Sequence, residues 1–219
     1  MTGPGLFTIV NIGYVGANKF WGETERVRQA AATCTLVQIG GVRLLVDPSP
    51  HPEILERLLL QTTGLKPEAI DLIFVTHHHG DHRYGIPLFP GRPVLMASAE
   101  METWRKRLPE EEALIAQCQP AEGHLPEGVE LVHTPGHTMT HHSLAFDSIW
   151  GRTLVAGDAV MTWDHFREEE GHTNSADFAL AAETIRRMKT EYDLVIPGHG
   201  NYFPVRPFRQ EKFVQKALL

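Results

Sequence analysis

The stretch Thr76-His77-His78-His79-Gly80-Asp81-His82 places four imidazoles and one carboxylate within seven residues. It follows Leu72-Ile73-Phe74-Val75, an apolar run that predicts a buried strand. Because His77 and His79 are two residues apart, their side chains point the same way along an extended chain. The glycine that follows permits a sharp turn before the aspartate and the last histidine. Since zinc, iron and manganese accept these ligand types, the stretch predicts a metal site at the end of a core strand.

A surface cluster or an expression tag is the competing explanation for so many histidines. A tag would lie at a terminus and would not contain the aspartate, and polar groups buried behind a core strand need partners. Three further motifs follow later in the chain, each after a β-type run: Thr134-Pro135-Gly136-His137-Thr138, Gly157-Asp158 and Pro197-Gly198-His199-Gly200. Together, the four motifs favour a metal site.

The pattern His-X-His-X-Asp-His, followed by these motifs in this order, resembles the metallo-β-lactamase-fold metallohydrolases. The resemblance covers most of the chain. It implies an α/β (α+β) fold, namely a four-layer αββα sandwich of two mixed sheets with outer helices. With 219 residues and no visible linker, we expect residues 1–219 to form one domain.

The resemblance also implies two divalent metal ions, with zinc expected and iron or manganese as alternatives. The ligand set that it implies is His77, His79 and His137 for one ion, Asp81, His82 and His199 for the other, and Asp158 bridging both. Two adjacent cations lower the pKa of a shared water, so a bridging hydroxide can attack an ester-like bond near neutral pH. We expect Asp158 and Asp81 to be catalytic, the latter as a proton shuttle.

Other residues are expected around these ligands. In the resembled family, an aspartate in the position of Asp47 supports the metal loop from behind. His78 alternates with its two neighbours and should point to the opposite side. His141 lies in a segment similar to Gly-His-Thr-X-Gly-His of glyoxalase II-like hydrolases, although Thr140 replaces the second glycine, and it should support the site. The residues expected at the rim are Trp163, His165 and Tyr202.

Apolar periodicity and turn residues predict the remaining elements. Strands are predicted at residues 6–12, 33–39, 42–46, 72–75, 94–97, 129–133, 143–146, 153–156 and 194–196. Helices are predicted at residues 52–61, 83–88, 100–108 and 175–189, the last with Ser175 as its N-cap. Residues 109–128 are predicted to be loop with at most one helical turn, and residues 159–174 to be a long loop. The basic C-terminal residues are expected to pack as a tail or short helix.

The aromatic residues of the predicted loops suit a thioester, lactone or other small ester as substrate. Class B β-lactamases of the best-known type carry a cysteine where this chain has Asp158, which argues against β-lactam hydrolysis. The full ligand set argues against a non-catalytic metal-binding module. Two alternative activities stay open. The phrase Leu88-Phe89-Pro90-Gly91 is similar to the family of metallo-β-lactamase domain-containing protein 1, which implies a phosphodiesterase or ribonuclease. A mononuclear iron thiol dioxygenase would use a similar histidine set.

The composition of the chain limits the classes of partner that we expect it to bind. The formal net charge of −7 argues against general nucleic-acid binding, although a local basic patch stays open. Cys34 and Cys118 are too few for a disulfide framework, and no apolar run approaches the ~18–20 residues of a membrane span. We therefore expect a cytoplasmic protein with a small-molecule substrate and no membrane partner. A homo-oligomer formed through the terminal segments stays open.

Overall fold

The computed structural model describes residues 3–206. Its strands are β1 (Leu6–Asn11), β2 (Cys34–Ile39), β3 (Val42–Val46), β4 (Leu72–Phe74), β5 (Val94–Met96), β6 (Cys118–Pro120), β7 (Val129–His133), β8 (His142–Ser148), β9 (Gly151–Gly157), β10 (Leu194–Pro197) and β11 (Phe203–Pro204). Its α-helices are α1 (Pro52–Thr63), α2 (Ser98–Arg107), α3 (Glu112–Ile115), α4 (Trp163–Glu168) and α5 (Phe178–Glu191). The prediction of a C-terminal tail or short helix concerns residues that lie outside the described range.

The strands form two mixed sheets. The first has the order β1-β2-β3-β4-β5-β6, with parallel pairing from β3 to β6. The second has the order β11-β10-β9-β8-β7, in which β9 and β10 are parallel. Gly40 and Gly41 form the predicted two-residue turn between β2 and β3. Both have positive φ angles, 58° and 83°, which suit glycine in this type of hairpin.

Strand alternation divides the apolar side chains among three layers. In β4, Ile73 packs with residues of α1 and α2, whereas its neighbour Phe74 packs with residues of the second sheet. In β9, Val155 lies between the sheets, and Leu154 packs against α5 on the outer face. Because helices cover the outer face of each sheet, the order is helix, sheet, sheet, helix. The predicted αββα sandwich is confirmed.

Two segments differ from their predicted helices. Residues 83–88 form no α-helix, because Pro87 lacks the N–H that would donate to residue 83. Instead, 3₁₀ turns occur at Gly80–His82 and Ile86–Leu88. The helix predicted from residue 175 begins at Phe178. Its N-cap is Asp177, whose carboxylate accepts the N–H of Leu180 at 2.9 Å.

Two predicted loops contain regular structure. Residues 159–174 include α4, which begins where the Thr162 side chain accepts the N–H of His165. Residues 109–128 include α3, which matches the expected helical turn, and β6, which adds an edge strand to the first sheet. Within residues 3–206, no helix has the length and apolar character that crossing a bilayer requires.

Phe146 is fully buried between the two sheets, so its substitution tests how much that core contributes to stability. Phe146→Ala should lower the free energy of unfolding by about 3–5 kcal/mol, since partners from two sheets cannot collapse into the cavity. Leu60→Ala is the matched control; Leu60 lies on α1 with half of its side chain exposed, and its loss should change stability by about 0.5 kcal/mol or less. Urea unfolding followed by circular dichroism measures both. Equal losses would contradict a core between the sheets.

Candidate metal centre

Each predicted ligand follows the end of a strand. The histidine-rich stretch follows β4, His137 follows β7, Asp158 follows β9 directly, and His199 follows β10. Strands β7, β9 and β10 run in the same direction, because β8 is antiparallel to β7 and β9, and β9 is parallel to β10. Their C-terminal ends therefore meet at one edge of the second sheet.

The first donor group consists of His77, His79, His137 and Asp158. Nδ1 of His79 lies 3.0 Å from Nε2 of His77 and 3.0 Å from Nε2 of His137. Oδ2 of Asp158 lies 3.2 Å from Nε2 of His137 and 3.7 Å from Nε2 of His77. Ligands about 2.1 Å from a tetrahedral zinc ion lie roughly 3.4 Å from one another, so this spacing suits one such ion.

The second donor group consists of Asp81, His82 and His199. Oδ2 of Asp81 lies 3.5 Å from Nε2 of His199. Oδ1 of Asp158 lies 3.2 Å from Nε2 of His82 and 3.3 Å from Nε2 of His199. Asp158 therefore lies between the two groups, with Oδ2 toward the first and Oδ1 toward the second.

Hydrogen bonds within the protein leave two of these donor atoms unsatisfied. Nε2 of His82 and Oδ1 of Asp158 are both buried without a hydrogen bond, although they lie 3.2 Å apart. A polar atom buried without a partner is destabilising, and more so when it is charged. Cations between the donor atoms would remove this penalty. The residues therefore fit the binding of divalent metal ions.

In His82 and His199, the ring nitrogen that points away from the other donor atoms makes a hydrogen bond to the protein. Nδ1 of His82 lies 2.9 Å from Oδ2 of Asp47, and Nδ1 of His199 lies 2.9 Å from the carbonyl oxygen of Ala31. Since both oxygens can only accept, each Nδ1 donates, and the neutral form of each ring keeps its lone pair on Nε2. Burial alone would lower the pKa of both rings, but the charge of Asp158 outweighs burial and raises both pKa values, so a metal ion would have to displace a proton. Asp47 also accepts the N–H and the hydroxyl of Thr76, at 2.8 and 2.9 Å. It thus lies behind the metal loop.

Burial sets the charges of the site. It holds the pKa of His77 and of His137 well below the usual histidine range, so both rings are neutral. Burial alone would raise the pKa of Asp158, but the facing rings of His82, His199 and His137 hold that pKa well below its usual range. A neutral imidazole and an ionised carboxylate are the forms that bind metal ions.

Glu100 is a buried carboxylate beside the site that the sequence analysis missed. Oε1 accepts the backbone N–H of His78 at 3.1 Å and contacts Nδ1 of the same residue. Oε2 accepts the hydroxyls of Thr138 at 2.8 Å and Thr140 at 2.6 Å. The signal in the sequence is weak: Glu100 is four residues before Trp104, so both lie on the buried face of a polar helix.

Other predicted supporting residues take different positions. His141 is buried, belongs to neither donor group, and places its ring 5.0 Å from that of His77. Trp163 and Tyr202 are 45% and 40% exposed and pack against neighbouring phenylalanines. Neither of these two aromatic residues lines the cavity described next.

A cavity of about 750 Å³ opens onto the donor groups. One wall comes from residues 15–30, which include Lys19 and Arg26, and another from residues 158–174. Met161 and Tyr84 contribute apolar surface near the donor atoms. His165, which we predicted at the rim, lines this cavity, and burial lowers its pKa to about 4. The donor groups therefore lie at the base of a space that a small molecule can enter.

Comparisons with known proteins agree with this architecture. The chain is 32% identical over 155 residues to an N-acyl homoserine lactonase of Bacillus cereus, which covers 64% of this chain and 60% of that protein. It is 30% identical over 199 residues to metallo-β-lactamase domain-containing protein 1 of Xenopus laevis, covering 86% of this chain and 77% of that protein. The chain thus spans about three fifths of the length of the lactonases that it matches.

A solved structure shows the same fold. It is AidC, described as a dizinc quorum-quenching lactonase in complex with a product, with a TM-score of 0.66 and 15% identity over 95% of this chain and 94% of that chain. The family model described as the metallo-β-lactamase superfamily matches residues 27–199, which include all seven predicted ligands. The resemblance stated from the sequence is confirmed, and the chain belongs to the metallo-β-lactamase superfamily.

Proposed function

We propose that this protein is a hydrolase with two metal ions that cleaves a lactone, a thioester or another small ester. The observation that carries the proposal is the position of Asp158, whose two oxygens adjoin separate donor groups at the base of one cavity. A carboxylate in this position can bridge two cations. A single-iron dioxygenase would need only one of the two donor groups to bind its ion.

The chemistry of the donors supports zinc. The first ion would be held by His77, His79 and His137, the second by Asp81, His82 and His199, and both by Asp158. Imidazole and carboxylate also accept iron and manganese, but zinc suits the close, roughly tetrahedral spacing of the first group. When bound, the two ions would polarise the scissile carbonyl and make a water molecule more acidic.

The protein's own groups would then bind the substrate and move protons. Asp81 has a side chain 18% exposed, against 5% for Asp158, and it lines the cavity. It is therefore the carboxylate placed to take a proton from the attacking water and return it to the leaving oxygen or sulfur. Tyr84 and Met161 give the cavity an apolar wall near the reacting bond. Such a wall suits an acyl chain better than a strongly hydrated phosphodiester.

The similarity to lactonases supports a lactone as the first substrate to test. The net charge of −7 argues against RNA, which a basic surface would favour. Zinc-loaded protein should therefore hydrolyse members of a panel of acylated lactones and thioesters, with phosphodiesters and RNA included for comparison. Cleavage of RNA with no ester hydrolysis would replace this proposal by the nuclease alternative.

Asp158→Ala should lower hydrolysis of the best substrate about a hundredfold or more, because losing even a supporting partner of a ligand costs 10–100-fold. It should also lower the metal content from about two ions per chain to one or none. Kinetic assays and elemental analysis of the same samples measure both effects. Asp147→Ala is the matched control; this aspartate lies on β8 with its side chain mostly exposed. Near-wild-type activity of Asp158→Ala would refute the bridging role.

Removal of bound metal should destabilise the fold. Chelation would remove the bound cations that link the buried ring nitrogens to Asp158, so the Tm should fall by about 5 °C or more and recover on addition of zinc. Differential scanning calorimetry before and after chelation measures the change. Elemental analysis of protein purified without added metal identifies the ion. A Tm that does not respond to chelation or to added zinc would contradict structural coupling between the metal ions and the fold.

A further inference from the structure

Glu100 occupies an unusual position on a surface helix. Helix α2 is rich in charged residues, and within it Glu100 and Trp104 are the buried side chains. Glu100 has no exposed surface, whereas the next acidic residue of the helix, Glu102, is exposed. A buried carboxylate is retained at this position only if its hydrogen bonds offset its desolvation.

The hydrogen bonds of Glu100 come from two separate loops. Oε1 contacts the N–H and the ring of His78, and Oε2 accepts the hydroxyls of Thr138 and Thr140. Burial alone would raise the pKa of Glu100, but these donors lower it to about 2, so the group is an ionised acceptor. Both oxygens are fully used.

Each of these loops carries ligands of the first donor group. His78 lies between His77 and His79, after β4 of the first sheet. Thr138 follows His137 directly, after β7 of the second sheet. A single carboxylate thus joins the ligand loops of two different sheets. Glu100 therefore holds the backbone beside both ligand segments. The ring nitrogens of these segments lie as close as 3.0 Å, between Nδ1 of His79 and Nε2 of His77 or His137.

The second donor group is supported by other residues. Asp47 lies behind His82, and the carbonyl of Ala31 lies behind His199. Glu100 makes no described hydrogen bond to either histidine. Asp47 also accepts from Thr76, beside His77, so the supports overlap at the histidine-rich loop. The contacts of Glu100, in contrast, lie beside ligands of the first donor group.

We propose that Glu100 is a positioning residue that sets the metal affinity of the first donor group by joining the loops of His77, His79 and His137. It contacts neither the ion nor the substrate. The proposal rests on the two-metal site proposed above. It predicts that the affinity for one ion can be lowered without an equal loss of affinity for the other.

The test uses Glu100→Gln, which keeps the size of the side chain but turns one acceptor into a donor. Glu102→Gln is the matched control on the same helix, and Asp47→Asn is the comparison for the second donor group. Each metal-free protein is titrated with Zn²⁺ against a chromophoric chelator, and with Co²⁺ followed by its visible absorption. Circular dichroism and thermal unfolding of the metal-free proteins check that each variant folds.

Glu100→Gln should lower the affinity for one of the two ions about 10–100-fold and leave the affinity for the other near its wild-type value. Asp47→Asn should weaken the binding of the other ion at least as much as that of the first, because Asp47 contacts both His82 and Thr76. Glu102→Gln should match the wild type. Wild-type affinity for both ions in Glu100→Gln would overturn the positioning role while leaving the two-metal hydrolase intact. An equal loss of affinity for both ions in that variant would overturn the proposal and assign Glu100 a general structural role instead. Wild-type protein that binds no metal would overturn the proposed function as well.

Discussion

The buried charge of Asp158 is the constraint on which the site depends. A carboxylate that is almost wholly removed from water must be compensated, and here it is surrounded by imidazole nitrogens at 3.2–3.7 Å. Burial lowers the pKa of His77 and of His137, whereas the charge of Asp158 outweighs burial and raises the pKa of His82 and of His199. Divalent cations bound between these donor atoms would compensate the anion and leave all four rings neutral. The electrostatics and the donor geometry lead to the same conclusion.

This cluster requires two sheets to approach closely at one edge. The second sheet carries His137, Asp158 and His199, and the first carries the histidine-rich loop. Glycines permit the approach, because a Cβ at Gly198 would lie 2.0 Å from Oδ1 of Asp158, and one at Gly157 would lie 2.6 Å from Oγ1 of Thr76. The backbone N–H of Thr33 donates to the carbonyl of Gly198 at 2.7 Å and ties the sheets together there. The glycines of the motifs are therefore part of the metal-site geometry.

Much of the fold could be predicted because its signals are local. Each ligand motif follows an apolar run, so the strand and the site residue appear together in the sequence. Glu100 could not be found in this way. Its partners are 22–40 residues away, and a glutamate in the first turn of a charged helix is normally exposed. Helix α4 was missed because six residues give too little periodicity, although Thr162 is a recognisable N-cap. We predicted Trp163 and Tyr202 at the rim of the site, but the sequence could not show whether they line the cavity, and they do not.

Catalytic groups and substrate contacts come from different kinds of structure in this molecule. The donor groups are fixed by strand ends and by buried carboxylates on two sides, Asp47 and Glu100. The cavity walls come largely from residues 15–30 and 158–174, which are irregular apart from short helical turns and α4. Sequence changes in those walls, other than at Asp158, can alter which small molecule enters without moving a donor atom. Changes at Asp47 or Glu100 would do the reverse, because these carboxylates contact the segments that carry the donor atoms and do not line the walls. This separation explains why the metal motifs identify the family more clearly than they identify the substrate.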